Sequence, residues 1–383
     1  MWIGNSLLFN WLDRELRPAG ARPQTPAPLG TTWLLHSGGF YYVEKTLLAG
    51  ASLPRPLHWF KWQAYATWLS GVALLLTVYW FGGRVLLVDP PVARLAQWQA
   101  IVVGAGAILA GVLVYEGALR LVAPRAPRLA AVAWLAGLAA ISLALLELLS
   151  GRAAFLHVGA MLGTIMAANV AHTIVPSQRA LVASVAEGGG RGGDPRLSER
   201  AKRVSLHNNY FTFPVLALML SGHFPALYSR ERGWLVLLVL IGGGGLVRHL
   251  LNIRFGYRAW RPALAAALLA TVGALYLLIR TGSLPAAASE PASALPVSFA
   301  EVRHVIDRRC TVCHSATPSD SSFGVAPGGV RYDTPEQIVA YAERIRERAV
   351  ITRTMPPANR TGLSEAERAL LGAWVERGAP REP

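Results

Sequence analysis

The chain has 383 residues, 53% of them apolar and 15% charged, with 37 Lys and Arg against 22 Asp and Glu for a formal net charge of +15. So basic a chain invites a nucleic-acid partner, yet residues 298–383 hold 12 basic and 11 acidic residues, so the excess lies in the apolar first three quarters. There it sits in loops between long apolar segments, which excludes nucleic acid as a partner and makes the charge a signal of membrane topology.

In chain order, Trp2 to Trp11 is apolar but too short to cross a bilayer, and it lacks the layout of a signal peptide. The chain is therefore expected to start inside a longer first helix. Long apolar segments follow at Phe60 to Phe81, Trp98 to Leu119, Leu129 to Leu149, Ala153 to Val175, Asn209 to Leu227, Trp234 to Leu251 and Pro262 to Ile279. Each has about 18 residues or more, enough for a hydrocarbon core of about 30 Å at about 1.5 Å per residue. The expected fold is all-α. Residues 1–280 form a polytopic transmembrane helical bundle of seven full spans plus a truncated first one, 281–297 a linker, and 298–383 a small helical domain. Gly242 to Gly245, inside one span, reads as a close helix-packing surface. Loops 13–57, 120–129, 176–208 and 253–261 carry 17 Lys and Arg, against five in the alternate loops. The positive-inside rule then puts the first set in the cytoplasm and the end of the last span, near Arg280, on the opposite side. Thr281 to Val297, rich in Pro, Ala and Ser, is expected to be a flexible tether.

The only two cysteines follow, in Cys310-Thr311-Val312-Cys313-His314. Two thiols three apart, followed at once by an imidazole, is the spacing that adds across both vinyl groups of a haem and ligates its iron from the next residue. A structural zinc would need a second Cys or His pair nearby, and a thioredoxin-type redox pair a βαβ context; neither is present. The expected cofactor is one covalent haem c held by Cys310 and Cys313, with His314 as one iron ligand. Met355, in Thr354-Met355-Pro356-Pro357, is the expected second ligand, since a thioether there raises the iron's potential into the range of an electron carrier. Helices are expected at Ser298 to Arg309, Thr334 to Ala349 and Ser364 to Arg377, the last opened by the capping pattern Ser364-Glu365-Ala366-Glu367. The segment resembles class I cytochromes c. Haem c is attached on the exported side of a membrane, which agrees with the charge argument in placing this domain in the periplasm of a bacterial-type inner (cytoplasmic) membrane.

Ionisable groups at membrane depth are functional candidates by default. With this topology His36, His58, His172, His207 and His249 fall at the cytoplasmic ends of spans or in adjoining loops, and His157 and His223 at the other ends. The cytoplasmic layer also holds Lys45, Lys61, Asn169, Arg179, Asn208, Asn209 and Arg248, a set suited to a planar anion with several hydrogen-bonding edges. Snorkelling or helix-end roles are the alternative for each, and Glu116 and Glu147 read as helix-end or interhelical partners. A second centre can be drawn as two stacked bis-histidine haems b, from His157 and His172 on one helix and His207 and His223 on the next. The 16-residue separation of His207 and His223 turns the side chain by about 160° in an ideal helix, so they share a face only if Pro214 kinks the span.

Several strings resemble the membrane-bound, cytochrome c-linked urate oxidases, also called urate hydroxylases. They are Trp2-Ile3-Gly4-Asn5-Ser6 with Trp11-Leu12-Asp13, His36-Ser37-Gly38-Gly39-Phe40-Tyr41, His58-Trp59-Phe60-Lys61-Trp62, Gly151 to Met161 continuing to Asn169, and His207-Asn208-Asn209-Tyr210-Phe211. The resemblance covers almost the whole chain and implies an eight-span domain followed by a cytochrome c. It implies urate as substrate, 5-hydroxyisourate as product, and electrons passed through haem c to a respiratory acceptor, a soluble cytochrome c or a terminal oxidase. Such a reaction needs a base, with His36 or His58 as candidates. It also needs cations for the anion (Lys45, Lys61 or Arg248) and ring-edge partners (Asn169, Asn208 or Asn209). Two electrons against one haem require a radical intermediate, two turnovers of the haem or a further centre. The competing readings are a quinol or other small-molecule dehydrogenase subunit with intramembrane haem b, and a transporter or sensor with a fused cytochrome.

Overall fold

The computed structural model describes Gly4, Leu8, Leu12 and residues 29–36, 39–46, 59–82, 84–89, 92–187, 194–228, 232–281, 297–320 and 325–381. The short first apolar stretch at Trp2 to Trp11 and most of the tether at 281–297 lie outside these residues. The chain is mostly helical, with one departure from the all-α expectation. β1 (Gly30–His36) and β2 (Gly39–Lys45) pair antiparallel, from Gly30 opposite Lys45 to His36 opposite Gly39. Thr31, Thr32, Trp33, Tyr41, Tyr42 and Val43 are β-branched or aromatic, types that fit a pleated surface, and Trp33 and Tyr42 stack across the pair with centroids 5.0 Å apart.

The bundle follows: α1 (Lys61–Leu74), α2 (Arg84–Leu87), α3 (Gln97–Gly117), α4 (Pro127–Leu148), α5 (Gly151–Asn169), α6 (Val175–Ala186), α7 (Pro195–Ser221), α8 (Pro225–Tyr228), α9 (Gly233–Ile253) and α10 (Trp260–Thr281). Wide π-helical turns extend α1 over Leu75–Trp80, α3 over Ala118–Val122, and α5 over Val170–Ile174 into α6. Among the described residues five helices are long and apolar enough to cross a membrane: Gln97–Val122, Pro127–Leu148, Gly151–Ala186, Gly233–Ile253 and Trp260–Ile279. The spans expected at Phe60 to Phe81 and Asn209 to Leu227 are helical but fall outside this set. The first opens with Lys61, Trp62 and Gln63, and α7 starts 14 residues before Asn209 with a charged stretch from Arg196 to Arg203. α7 also carries buried Asn208, Asn209 and Thr212, which lower its mean hydropathy.

α5 is the centre of the bundle. Phe155, Val158, Met161, Leu162 and Ile165 are fully buried, and α3, α4 and α7 pack around it, with α9 on α7 and α10 on α9. The outer faces of α3, α4 and α10 expose Leu109, Leu113, Val132, Leu135, Leu269 and Val272, apolar contacts that fit lipid better than water. Close approach depends on glycine. Gly104 and Gly111, seven residues apart on one face of α3, lie against His157 and Met161 of α5, and a Cβ at either would overlap those side chains. The expected glycine packing surface on α9 is used in the same way: Gly243 meets Thr271 of α10, and a Cβ on Gly244 would come within 3.0 Å of the Pro214 nitrogen of α7.

The C-terminal unit has its own core of Val302, Ile306, Ile338, Leu371 and Trp374, under α11 (Phe299–Arg309), α12 (Pro335–Ala340), α13 (Ala342–Ile345) and α14 (Glu365–Glu376). Three starts carry reciprocal caps: Ser298 with Glu301, Thr334 with Gln337 and Ser364 with Glu367. The single helix expected over Thr334 to Ala349 is broken. Tyr341 leaves the helical region at φ −107° and ψ 14°, where its ring packs edge-on to Tyr332 at 6.1 Å, and a wide turn over Arg346–Ile351 follows α13.

Gly104→Val tests the glycine contact. The added side chain displaces a buried imidazole whose two nitrogens are both engaged, so a loss of about 2 kcal/mol is expected, read as a lower thermal midpoint in detergent; an unchanged midpoint would show that the helices do not need this approach.

Candidate functional site

The polar residues of the bundle gather at two levels. At one end of α5, His157 is fully buried. Its Nδ1 donates to the Ala153 carbonyl at 2.7 Å, its Nε2 accepts from Trp80 Nε1 at 3.1 Å, and the two rings stack with an interplanar angle of 15°. A ring with both nitrogens taken and Gly104 against its edge offers no ligand position. His172 and His223 are exposed.

Twelve residues along α5, about 18 Å by helical rise, a second level joins α3, α5, α7 and α9 through side-chain amides. Its orientation can be read from one carbonyl. Asn208 Nδ2 donates to Met166 O at 3.0 Å; a carbonyl only accepts, so Asn208 Oδ1 must be the atom facing Asn169. Asn169 Nδ2 then donates to that oxygen at 2.8 Å and to the Tyr115 hydroxyl at 3.0 Å. The hydroxyl lies 2.8 Å from His207 Nδ1 and donates to it in the tautomer of neutral His207 that carries its ring proton on Nε2. Next to Asn208, Asn209 Oδ1 accepts from Arg248 Nε at 2.8 Å and from Asn252 Nδ2 at 2.7 Å.

What this network leaves unused is its most informative property. Among the described residues Asn169 Oδ1, Asn252 Oδ1 and Arg248 Nη2 are buried without a hydrogen-bond partner, in residues 0%, 5% and 1% exposed. Arg248 lies 5.5 Å from the centre of the Phe213 ring, and among the described residues no carboxylate pairs with it. Buried polar atoms are nearly always satisfied, and a buried charge without a counterion is costly. Two open acceptors and one cationic donor with an aromatic ring beside it are the groups that a flat anion with N–H groups on its edge would engage.

Of the residues expected at the site, Asn169, His207, Asn208, Asn209 and Arg248 come together here. The others lie elsewhere: His36 ends β1, Lys45 ends β2, and His58 lies outside the described residues. Lys61 opens α1 with its Nζ 5.7 Å over the Trp62 ring, Arg179 and His172 are exposed, and exposed His249 pairs with the Tyr210 hydroxyl at 2.8 Å. Glu116 pairs with Arg120 on its own helix, and Glu147 is exposed. Tyr115 and Asn252 were not anticipated. A polar residue inside an apolar helix at the level of Asn169 and Arg248 was the signal available for both.

Residues 1–279 match the family model described as urate oxidase N-terminal. The chain belongs to the urate oxidase N-terminal family. No curated protein and no solved structure matches it. The match covers the whole bundle, including every residue of the amide network, and points to oxidation of urate; it stops short of the C-terminal unit.

In that unit Cys310 and Cys313 are unpaired thiols on a tight turn, with Cys313 N and His314 N both bonded to Cys310 O. His314 Nδ1 lies 3.0 Å from Val330 O; the carbonyl accepts, so the ring proton is on Nδ1 and Nε2 keeps a free lone pair. Burial lowers the pKa of His314 and so favours this neutral form, and burial, helped by Cys313, pushes the Cys310 thiol up to about 12. Met355 is half-buried, its N–H bonded to Arg348 O at 2.9 Å and its carbonyl accepting from Arg368 at 3.1 Å. Two thiols on one turn beside an imidazole with a free Nε2 fit a covalent haem.

Asn209→Leu tests the amide network. It leaves Arg248 Nε and Asn252 Nδ2 without their acceptor, a loss of about 3 kcal/mol or more measurable by thermal unfolding, while Asn209→Asp keeps the acceptor; equal midpoints for the two variants would contradict the assignment.

Proposed function

We propose that the protein oxidises urate to 5-hydroxyisourate within its bundle and passes the electrons to a haem c carried by the C-terminal unit. The observation that supports the first half most is the buried Arg248 guanidinium, which has an open Nη2 and no carboxylate in a chain of the urate oxidase N-terminal family. Urate is a flat anion with N–H and C=O groups around its rim. Arg248 Nη2 answers its charge, Asn252 Oδ1 and Asn169 Oδ1 accept from its ring N–H groups, and Phe213 offers an aromatic face. In balanced form, the urate monoanion and one water give neutral 5-hydroxyisourate, one proton and two electrons: the water oxygen bonds a ring carbon, and oxygen need not meet the substrate.

The second half rests on the C-terminal motif. Cys310 and Cys313 would hold the haem through thioethers, and His314 and Met355 would ligate its iron. Bound there, haem c supplies a one-electron acceptor whose potential the thioether raises. The protein's own part is to keep His314 in the tautomer with Nε2 free and to wrap the site in the core of α11, α12 and α14. On this reading the domains are a membrane bundle at 1–280 with seven spans, a tether at 281–297 and a cytochrome c domain at 298–383. That domain lies on the periplasmic side of the inner membrane and passes electrons to a respiratory acceptor.

Three measurements test the proposal. In anaerobic optical spectra of the oxidised protein, urate should make the reduced haem c α-band grow; a haem that ascorbate reduces and urate does not would rule the reading out. Cys310→Ala with Cys313→Ala should abolish the covalent haem detected by staining in a denaturing gel, and retention of the stain would place attachment elsewhere. Arg248→Lys keeps the charge but loses the second nitrogen, and should raise KM for urate about 10- to 100-fold, the range of a lost charge-assisted hydrogen bond.

A further inference from the structure

Tyr115 and His207 form a pair that substrate binding does not account for. The hydroxyl accepts one hydrogen bond, from Asn169 Nδ2 at 3.0 Å, and with His207 protonated on Nε2 it donates its proton to His207 Nδ1 at 2.8 Å. A phenolic oxygen has a second lone pair, so the Tyr115 oxygen can take one more proton at the moment it gives up its own. Tyr115 is 4% exposed and held edge-on by Trp134 and Phe211 with centroids 5.3 and 6.1 Å away. His207 is half-buried and stands nearer the exposed start of α7. One partner is locked at the level of the open Asn169 Oδ1 and the other reaches outward, a layout for moving a proton out of a closed site.

We infer that Tyr115 and His207 are a proton relay, carrying to solvent the proton released when water adds to the oxidised ring. This deepens the proposed urate oxidation and rests on it. As the water oxygen bonds the ring carbon, its O–H bond breaks and the proton passes to the Tyr115 oxygen. The Tyr115 O–H bond breaks in turn, and Nδ1–H forms on His207. His207 becomes an imidazolium with protons on both nitrogens and returns one to bulk water. The two electrons leave separately to the one-electron haem acceptor, used twice. Tyr115 undergoes no redox change. Asn169 is the positioning residue, because it spends both amide protons holding Tyr115 and Asn208 and so dictates where the Tyr115 proton points.

The test uses the full-length holoprotein in detergent. Tyr115→Phe keeps the ring packing and removes only the hydroxyl; His207→Gln can still accept the Tyr115 hydrogen bond through its side-chain oxygen but cannot carry a proton. Both should lower kcat about 100-fold, the range for loss of general acid–base assistance. KM and equilibrium urate binding should stay within about twofold, and ascorbate should reduce the haem as in the parent. His207→Gly should regain rate with added imidazole, which a structural role would not produce. Wild-type kcat in either Tyr115→Phe or His207→Gln overturns the relay, as does a loss of urate binding that matches the loss of rate. If the unaltered protein fails to oxidise urate, the proposed function falls and the relay with it; a parent that oxidises urate beside a fully active Tyr115→Phe removes the relay alone.

Discussion

Asn208 cannot turn round. Its amide nitrogen is committed to the Met166 carbonyl, an acceptor that belongs to the backbone of α5, and this commitment sets the direction of the hydrogen bonds from Asn208 through Asn169 to Tyr115. Asn169 is oriented by Asn208, Tyr115 by Asn169 and His207 by Tyr115. On the neighbouring residue the guanidinium of Arg248 orients Asn209, and Asn209 orients Asn252. In water each of these amides would rotate freely at little cost. In an apolar bundle a reversed amide would set donor against donor, and an unmade bond costs about 1–3 kcal/mol. The fold therefore holds the three open atoms in fixed positions before any ligand arrives, and such preorganisation is what electrostatic catalysis requires.

The apolar packing makes this rigidity possible. Gly104 and Gly111 bring α3 against α5, and Gly244 brings α9 against Pro214 of α7. Without those approaches side chains as short as asparagine would not span from helix to helix. The network is built largely from asparagine, a neutral residue, with a single cation. A carboxylate paired to Arg248 would satisfy the charge and leave nothing for an anionic substrate, so the missing counterion is a stability cost retained in the resting fold.

Much of this was legible in the chain. The bundle, the glycine surface on α9, the helix cap at Ser364 and the level of Asn169, Asn208, Asn209 and Arg248 all follow from apolar length, residue type and depth. Depth alone could not separate inward from outward residues. His172 and His249 share that level but are exposed, and the hydrogen bonds that tie Tyr115 of α3 to α5 and α7 are made by residues far from it in the chain. The hairpin at Gly30–Lys45 was missed for a related reason: attention to 18-residue apolar windows passes over seven-residue strands.

The two levels of α5 also explain how one chain can keep two kinds of charge apart. α2 follows the Trp80 end of α1, is tied to Ser150 at the start of α5, and packs against the Pro357–Asn359 turn just beyond Met355. The C-terminal unit thus stands at the His157 end of the bundle, and the amide network lies near the other end of α5. On the proposed reading, with urate at the network and a haem at His314, the proton has half-buried His207 beside it, whereas the electrons travel the length of α5. At that other end Trp80 Nε1 donates to His157 Nε2 and His157 Nδ1 to the Ala153 carbonyl, so neither ring nitrogen of His157 is left to carry a proton. The proposed oxidation would thus send its proton and its electrons toward different ends of the bundle.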